Sequence, residues 1–272
     1  MEVLVLLAAI TLNWCFSTPF LSLNRSFDKS LSEVFHTGVI GRTSMSPVLG
    51  VGMLAAIGIL TVLLVEQLVL QNNPLLVGVL HSVVLAFFFN LPSALIFNRS
   101  SDGLVSENLL STVSVRFFGV TFWYVIIPGI FGAAIFFFFF VAYSMILRNG
   151  NIRSLSSFRP VTIAYQSLFW MPAQLLAFSF AFVGDFETSF ARRRAEGARS
   201  GFGLRALILA SACGALNSHS VGLQRSSDGE IYYQPSFGLK NAPEVNTRQC
   251  SALLLRVGVL WILAIFSLLV IA

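Results

Sequence analysis

Six stretches of the chain, at about 2–18, 47–70, 75–97, 117–147, 161–183 and 252–271, run apolar almost without interruption. Their length is the constraint. A bilayer's hydrocarbon core is about 30 Å thick and takes roughly 20 residues of helix to cross. A water-soluble fold has little use for so many unbroken runs. Only 11% of the 272 residues are charged, 56% are hydrophobic and 27 are Phe, against about 25% charged in an ordinary soluble domain. The chain therefore reads as an all-α polytopic membrane protein with four to six hydrophobic helical segments, some of them re-entrant. Three parts follow from the polarity: a membrane helical domain at 1–184, a polar region with an amphipathic helix at 185–251, and a last transmembrane helix at 252–272.

Charge and cysteine usage narrow the class. The formal net charge is +5, and in a membrane protein basic residues belong on cytoplasmic loops, so no nucleic-acid partner is expected. Cys15, Cys213 and Cys250 are odd in number and have neither metal-ligand nor redox-motif spacing, so neither a disulfide framework nor a zinc site is expected; no other metal and no cofactor is expected either. Glu2 stands where a cleaved signal would carry Lys or Arg, and residues 1–18 read as a retained first helix.

Interruptions within the runs mark where the chain can turn. Pro47 suits a helix start, Gly52 and Ala56 form a small-xxx-small packing pair, and the link 71–74 is short enough for a helical hairpin. Pro128-Gly129 divides the long fourth run, which is then either a kinked helix or a tight re-entrant hairpin. Pro172 interrupts the fifth. The loops 19–46 and 148–160 and the tail 184–251 carry more arginine and lysine than aspartate and glutamate, Arg42 among them, and the loop 98–116 holds Arg99 and Arg116. They reach one cytoplasmic face together if 117–147 and 161–183 each enter and return, with Pro128-Gly129 and Pro172 as turning points, or lie partly in the interface.

Few polar groups interrupt the apolar segments. Glu66, His81 and Asn90 are the intramembrane polar candidates. Glu66 and His81 lie close enough to the 71–74 link to be interfacial, or near enough to each other to touch across a hairpin. Asn90 with Pro92 marks either a satisfied kink or an unwound cavity wall. In "VGDFETSF", Gly184 is a turn, Asp185 an N-cap, and Glu187 and Thr188 the first helical turn. Arg192, Arg193 and Arg194 follow as a solvated or headgroup-facing run. Residues 203–218 suit an amphipathic helix, and "SSDGEIYYQP" (226–235) an Asp-Gly turn beside a short strand or loop. No phosphate loop, zinc-protease motif or nucleophile elbow occurs.

The W-x-P-A-x-L stretch at Trp170–Leu175, followed by "AFVGDF" at 181–186, resembles the membrane-protein family that unites the β-lactamase-regulation protein AmpE with the CobD/CbiB proteins of cobalamin biosynthesis. "LSLNRSFDKSLSEVFHTGVIGRT" (21–43) resembles the region after that family's first helix. Residues 116–146, with Arg116, Phe117, Phe122 and Trp123 in an R-F-x-x-x-x-F-W pattern, resemble the AmpE branch. The cobalamin branch is similar to an adenosylcobinamide-phosphate synthase and carries acids at places that read "SVRFFG" (114–119), "VAYSM" (141–145) and "TIAYQSLFWMPAQL" (162–175) here. Gln174 also replaces an arginine of that motif. A ligase handling magnesium–nucleotide needs such carboxylates. The resemblance therefore implies an AmpE-like regulatory protein of the bacterial inner membrane, linked to β-lactamase induction and peptidoglycan recycling, without a catalytic set. A divergent synthase and a small transporter are the alternatives. The same resemblance implies a ligand or partner site built from Arg116, Phe117, Phe122, Trp123, Trp170, Pro172, Gln174, Gly184, Asp185 and Phe186. Its implied partners are the lipid bilayer and a cytoplasmic or membrane signalling protein, with the tail 185–251 cytoplasmic.

Overall fold

The computed structural model describes residues 2–15, 60, 67, 74–89, 110, 113–127, 130–148, 159–197, 204–218, 220–225, 231–237 and 247–271. Among them the chain is helical except for one β-hairpin. The helices are α1 (Glu2–Cys15), α2 (Pro74–Phe89), α3 (Val120–Ile126), α4 (Ile130–Arg148), α5 (Arg159–Val183), α6 (Phe186–Gly197), α7 (Leu204–Ala215) and α8 (Thr247–Ile271). A π-helical turn at Ser114–Gly119 leads into α3. Strands β1 (Ser220–Arg225) and β2 (Ile231–Phe237) pair antiparallel, with an irregularity between Ser220 and Val221. Pro47, Gly52, Ala56 and Pro128-Gly129 lie outside the described residues.

Two helices, α5 and the Arg248–Leu268 part of α8, are long and apolar enough to cross a membrane. Four shorter apolar helical stretches lie at Leu75–Phe89, Ser114–Ile126, Ile130–Ser144 and Ala206–Ala215. The outward faces are apolar too. On α2, Leu75, Val79 and Val83 are exposed, and on α8 Leu255, Val259 and Leu263 are. A helix that is apolar all round suits a surrounding that is itself apolar.

Packing divides the chain into two units: residues 1–91 with 119–169, and residues 92–118 with 170–272. The sequence boundaries at 184/185 and 251/252 follow polarity instead. In the first unit α1 lies on α2, where the Ser82 hydroxyl donates to the Gly78 carbonyl at 2.8 Å and is 3.3 Å from that of Val5. His81 is buried and meets the ring of Tyr124 edge-on, with Nδ1 3.4 Å from the phenol oxygen. Glu66, which the sequence placed either at the interface or against His81 across a hairpin, lies outside the described residues. Aromatic packing fills the rest of this core: Phe88 stacks on Phe137 at 4.4 Å, and Tyr143 on Tyr165 at 4.4 Å.

The long fourth run is a helical hairpin, not a kinked helix. A Cβ built on Gly119, just before α3, would stand 2.4 Å from the ring of Phe136 on α4. Seventeen residues of continuous helix would separate the two by about 25 Å, so the chain doubles back between them. Phe136 is fully buried and its ring has no room to retreat. Gly119→Val is therefore expected to loosen the hairpin, at a cost of about 1–3 kcal/mol, read as a lower melting temperature in detergent micelles.

Pro172, by contrast, turns nothing. Helix α5 runs through it unbroken from Arg159 to Val183, which corrects the expectation that 161–183 enters and returns at that proline. A proline in a helix removes the N–H that would bind the carbonyl four residues earlier. Here that carbonyl belongs to Leu168, and the indole N–H of Trp123 donates to it at 3.1 Å. The freed acceptor is satisfied from another helix, so the chain continues through a defect that would otherwise favour a break.

Candidate functional site

Most of the motif residues belong to the second unit, and three of them, Gly184, Asp185 and Phe186, lie at the bend between α5 and α6. Asp185 caps α6: its Oδ1 accepts the Thr188 backbone N–H at 3.1 Å, as the N-cap pattern requires. Its Oδ2 accepts the side-chain amide of Asn217 at 3.0 Å, and its backbone N–H donates to the Ala215 carbonyl at 3.2 Å. Asn217 ends α7. It has φ of 49°, its N–H donates to the Gly214 carbonyl, and the next N–H, of Ser218, reaches the Cys213 carbonyl, each at 3.0 Å. These are the paired bonds of a left-handed helix C-cap. One carboxylate thus joins the start of α6 to the end of α7.

Small residues let those helices meet. A Cβ on Gly184 would lie 2.5 Å from the Ala215 Cβ, and one on Gly214 would lie 2.4 Å from the Ser189 Cα. Thr188 donates its hydroxyl to the Gly214 carbonyl at 2.8 Å, and buried Ser189 donates to the Ser211 carbonyl at 2.9 Å.

The arginine run does not act as one patch. Consecutive residues of a helix point about 100° apart, so the three guanidinia separate. Arg192 is half-buried and donates to the Ser218 carbonyl. Arg193, also half-buried, donates through Nη2 to the Gln174 side-chain oxygen and lies over the Phe178 ring at 4.5 Å. Arg194 alone is exposed. The expected solvated or headgroup-facing run therefore reduces to one residue. Burial lowers the pKa of Arg193, and its stacking on Phe178 is a cation–π contact.

The Asn217 amide, and after it the Thr188 backbone N–H, hold the Asp185 carboxyl below the ordinary aspartate value. The folded state therefore favours the ionised form. That contribution is complete above the unfolded value near pH 4 and is lost as pH falls through the lower folded one. Melting curves between pH 6 and pH 2 should show this loss in the natural chain. Asp185→Asn, which keeps a capping side chain, should flatten that part of the profile.

The other motif residues fall as follows. Arg116 and Phe117 are buried in the π-helical turn of the second unit, where the neighbouring Phe118 packs edge-on against Trp261 of α8 at 5.1 Å. Trp261 also donates to the Ser179 hydroxyl at 2.9 Å. Phe122 and Trp123 belong to the first unit, on α3. Trp170 and Phe186 are exposed and Pro172 is buried. Arg42, Glu66 and Asn90 lie outside the described residues. Among the described residues no three His, Cys, Asp or Glu side chains cluster as metal ligands would.

Sequence reasoning missed Thr188 as a tertiary donor, and it missed Ser189, Gly214, Asn217 and Ser218 altogether. Asn217 left a signal, an Asn directly after an apolar helical run. The others become visible only once α6 and α7 are side by side. Comparison of the chain with models of known protein families, with curated proteins and with solved structures finds no match.

Proposed function

We propose that this is a multi-pass protein of the bacterial inner membrane with an AmpE-like regulatory role, in which α5 crosses the bilayer and the bend at Gly184–Asp185 links it to a cytoplasmic region, 185–251. The observation that carries this reading is how the motif's polar side chains are engaged. Asp185 joins α6 to α7 through Thr188 and Asn217, and Gln174 receives Arg193. These groups brace helices against one another, as a device that transmits a signal between membrane and cytoplasm requires. A synthase of the cobalamin branch would instead need carboxylates directed at magnesium and nucleotide. The stretches that the resemblance sets against its acid-bearing motifs, 114–119, 141–145 and 162–175, contain no Asp or Glu here.

A metabolite profile of cells lacking the protein tests the proposal, with corrinoids and muropeptides measured together. Altered cytoplasmic anhydromuropeptides with normal corrinoids are the expected result. Accumulated cobyric acid with cobinamide missing would overturn it in favour of the synthase reading.

A further inference from the structure

Four phenylalanines recur at a spacing of four across the end of α5 and the start of α6, Phe178, Phe182, Phe186 and Phe190, and Arg194 stands at the next place in the series. All four rings are exposed, at 47%, 75%, 56% and 41%, although Gly184–Asp185 breaks the helix between the second and the third. Within α6, residues four apart lie on one face, and Phe186 and Phe190 stack there with centroids 5.8 Å apart and planes at 11°. Arg194 continues that face and is the one arginine of its run that is exposed. Arg192 and Arg193 are turned to Ser218 and Gln174.

We infer that α6 is an interfacial helix, with Phe186 and Phe190 set among the lipid acyl chains at the membrane boundary and Arg194 reaching the headgroups of anionic lipid. This rests on the reading that α5 spans the bilayer. Phe178 and Phe182 on the spanning helix are exposed as well, so the acyl chains that cover them there would also be the solvent at the start of α6. The sign of the charge completes the match. A short helix with aromatic residues along one face and a long cationic side chain at its edge partitions into the headgroup boundary, where the arginine stem lies along apolar surface while its charge stays in the polar layer. Arg193 fixes the lean of α6 by tying it back to α5 at Gln174 and Phe178, and Asp185 fixes its start. The aromatic face is thus presented by a braced element.

The test places the photoreactive residue p-benzoylphenylalanine at 182, 186, 187 or 190 of the full chain, in nanodiscs of phosphatidylglycerol or of phosphatidylcholine. Adducts are identified by mass after irradiation. Lipid adducts at 186 and 190 should exceed those at 187, which lies about 100° from 186 and about 60° from 190 around the helix, several-fold. The yield at 190 should be higher in phosphatidylglycerol, and Arg194→Gln should remove that preference. Lipid adducts at 182 without any at 186 and 190 would overturn the inference and leave the spanning reading intact. No lipid adduct even at 182 would overturn both. Adducts at 190 to a second copy of the chain, or a lipid preference unchanged by Arg194→Gln, would also overturn it.

Discussion

Gly214→Ala is expected to melt well below the natural protein, although alanine is ordinarily the better helix residue. In an open helix interior the change would gain up to about 1 kcal/mol. At Gly214 the new methyl would stand 2.4 Å from the Cα of Ser189, 2.8 Å from its backbone nitrogen and 3.0 Å from the Thr188 carbonyl oxygen. All three are backbone atoms, which no rotamer change can move aside, so α6 and α7 must separate. Overpacking of this kind costs about 1–3 kcal/mol. Separation also weakens the Thr188 bond to the Gly214 carbonyl and the Ser189 bond to that of Ser211. A net loss of about 2 kcal/mol follows from setting the clash and the weakened bonds against the propensity gain. Gly258→Ala on α8 is the control, because a Cβ there meets nothing within 4 Å and should raise stability slightly. Thermal melts of both variants in one detergent check the pair. Equal effects of the same sign would show that the α6–α7 contact is not as close as described.

The Asp185 cap and the helix after it were legible in the sequence because they are local. An acidic residue after a glycine, three positions before the N–H it accepts, needs no knowledge of the rest of the chain. The apolar character of α5 and α8 was legible for the same reason, and so was the helix at 203–218. What was not legible depended on partners distant in sequence. Asp185's second oxygen is occupied by Asn217, 32 residues on, and nothing near Asp185 announces that. The arginine run is a different case. Helical periodicity alone separates Arg192, Arg193 and Arg194 around the axis, so three headgroup contacts from one short helix were already implausible on geometry. The row of phenylalanines at 178, 182, 186 and 190 was present in the sequence too. Its meaning depended on knowing that the bend at 184–185 leaves all four rings exposed.

Pro172 shows most sharply why local reading fails, and it supplies the second large expectation. The indole of Trp123 donates to the Leu168 carbonyl, the one acceptor that Pro172 deprives of its helical partner. Trp123→Phe keeps an aromatic ring and removes that donor, leaving a carbonyl within an apolar helix without a bond. Stranding such a group costs about 1–3 kcal/mol, and more where no water can reach it. The same substitution in a Pro172→Ala chain should cost much less. The alanine restores an N–H four residues after Leu168, so the carbonyl no longer depends on Trp123. The two substitutions are therefore expected to couple, with Pro172→Ala rescuing most of the Trp123→Phe loss. A double-mutant cycle on melting temperature measures this, and contacting groups of this kind typically couple by about 0.5–3 kcal/mol. Strict additivity would mean that the indole bond contributes nothing to carrying α5 through its proline. The helix would then owe its continuity to packing on Ala173, Leu176 and Ala177, which are fully or almost fully buried. Coupling would instead make Trp123, in a hairpin 45 residues earlier in the chain, the reason that a proline in the middle of α5 does not end it.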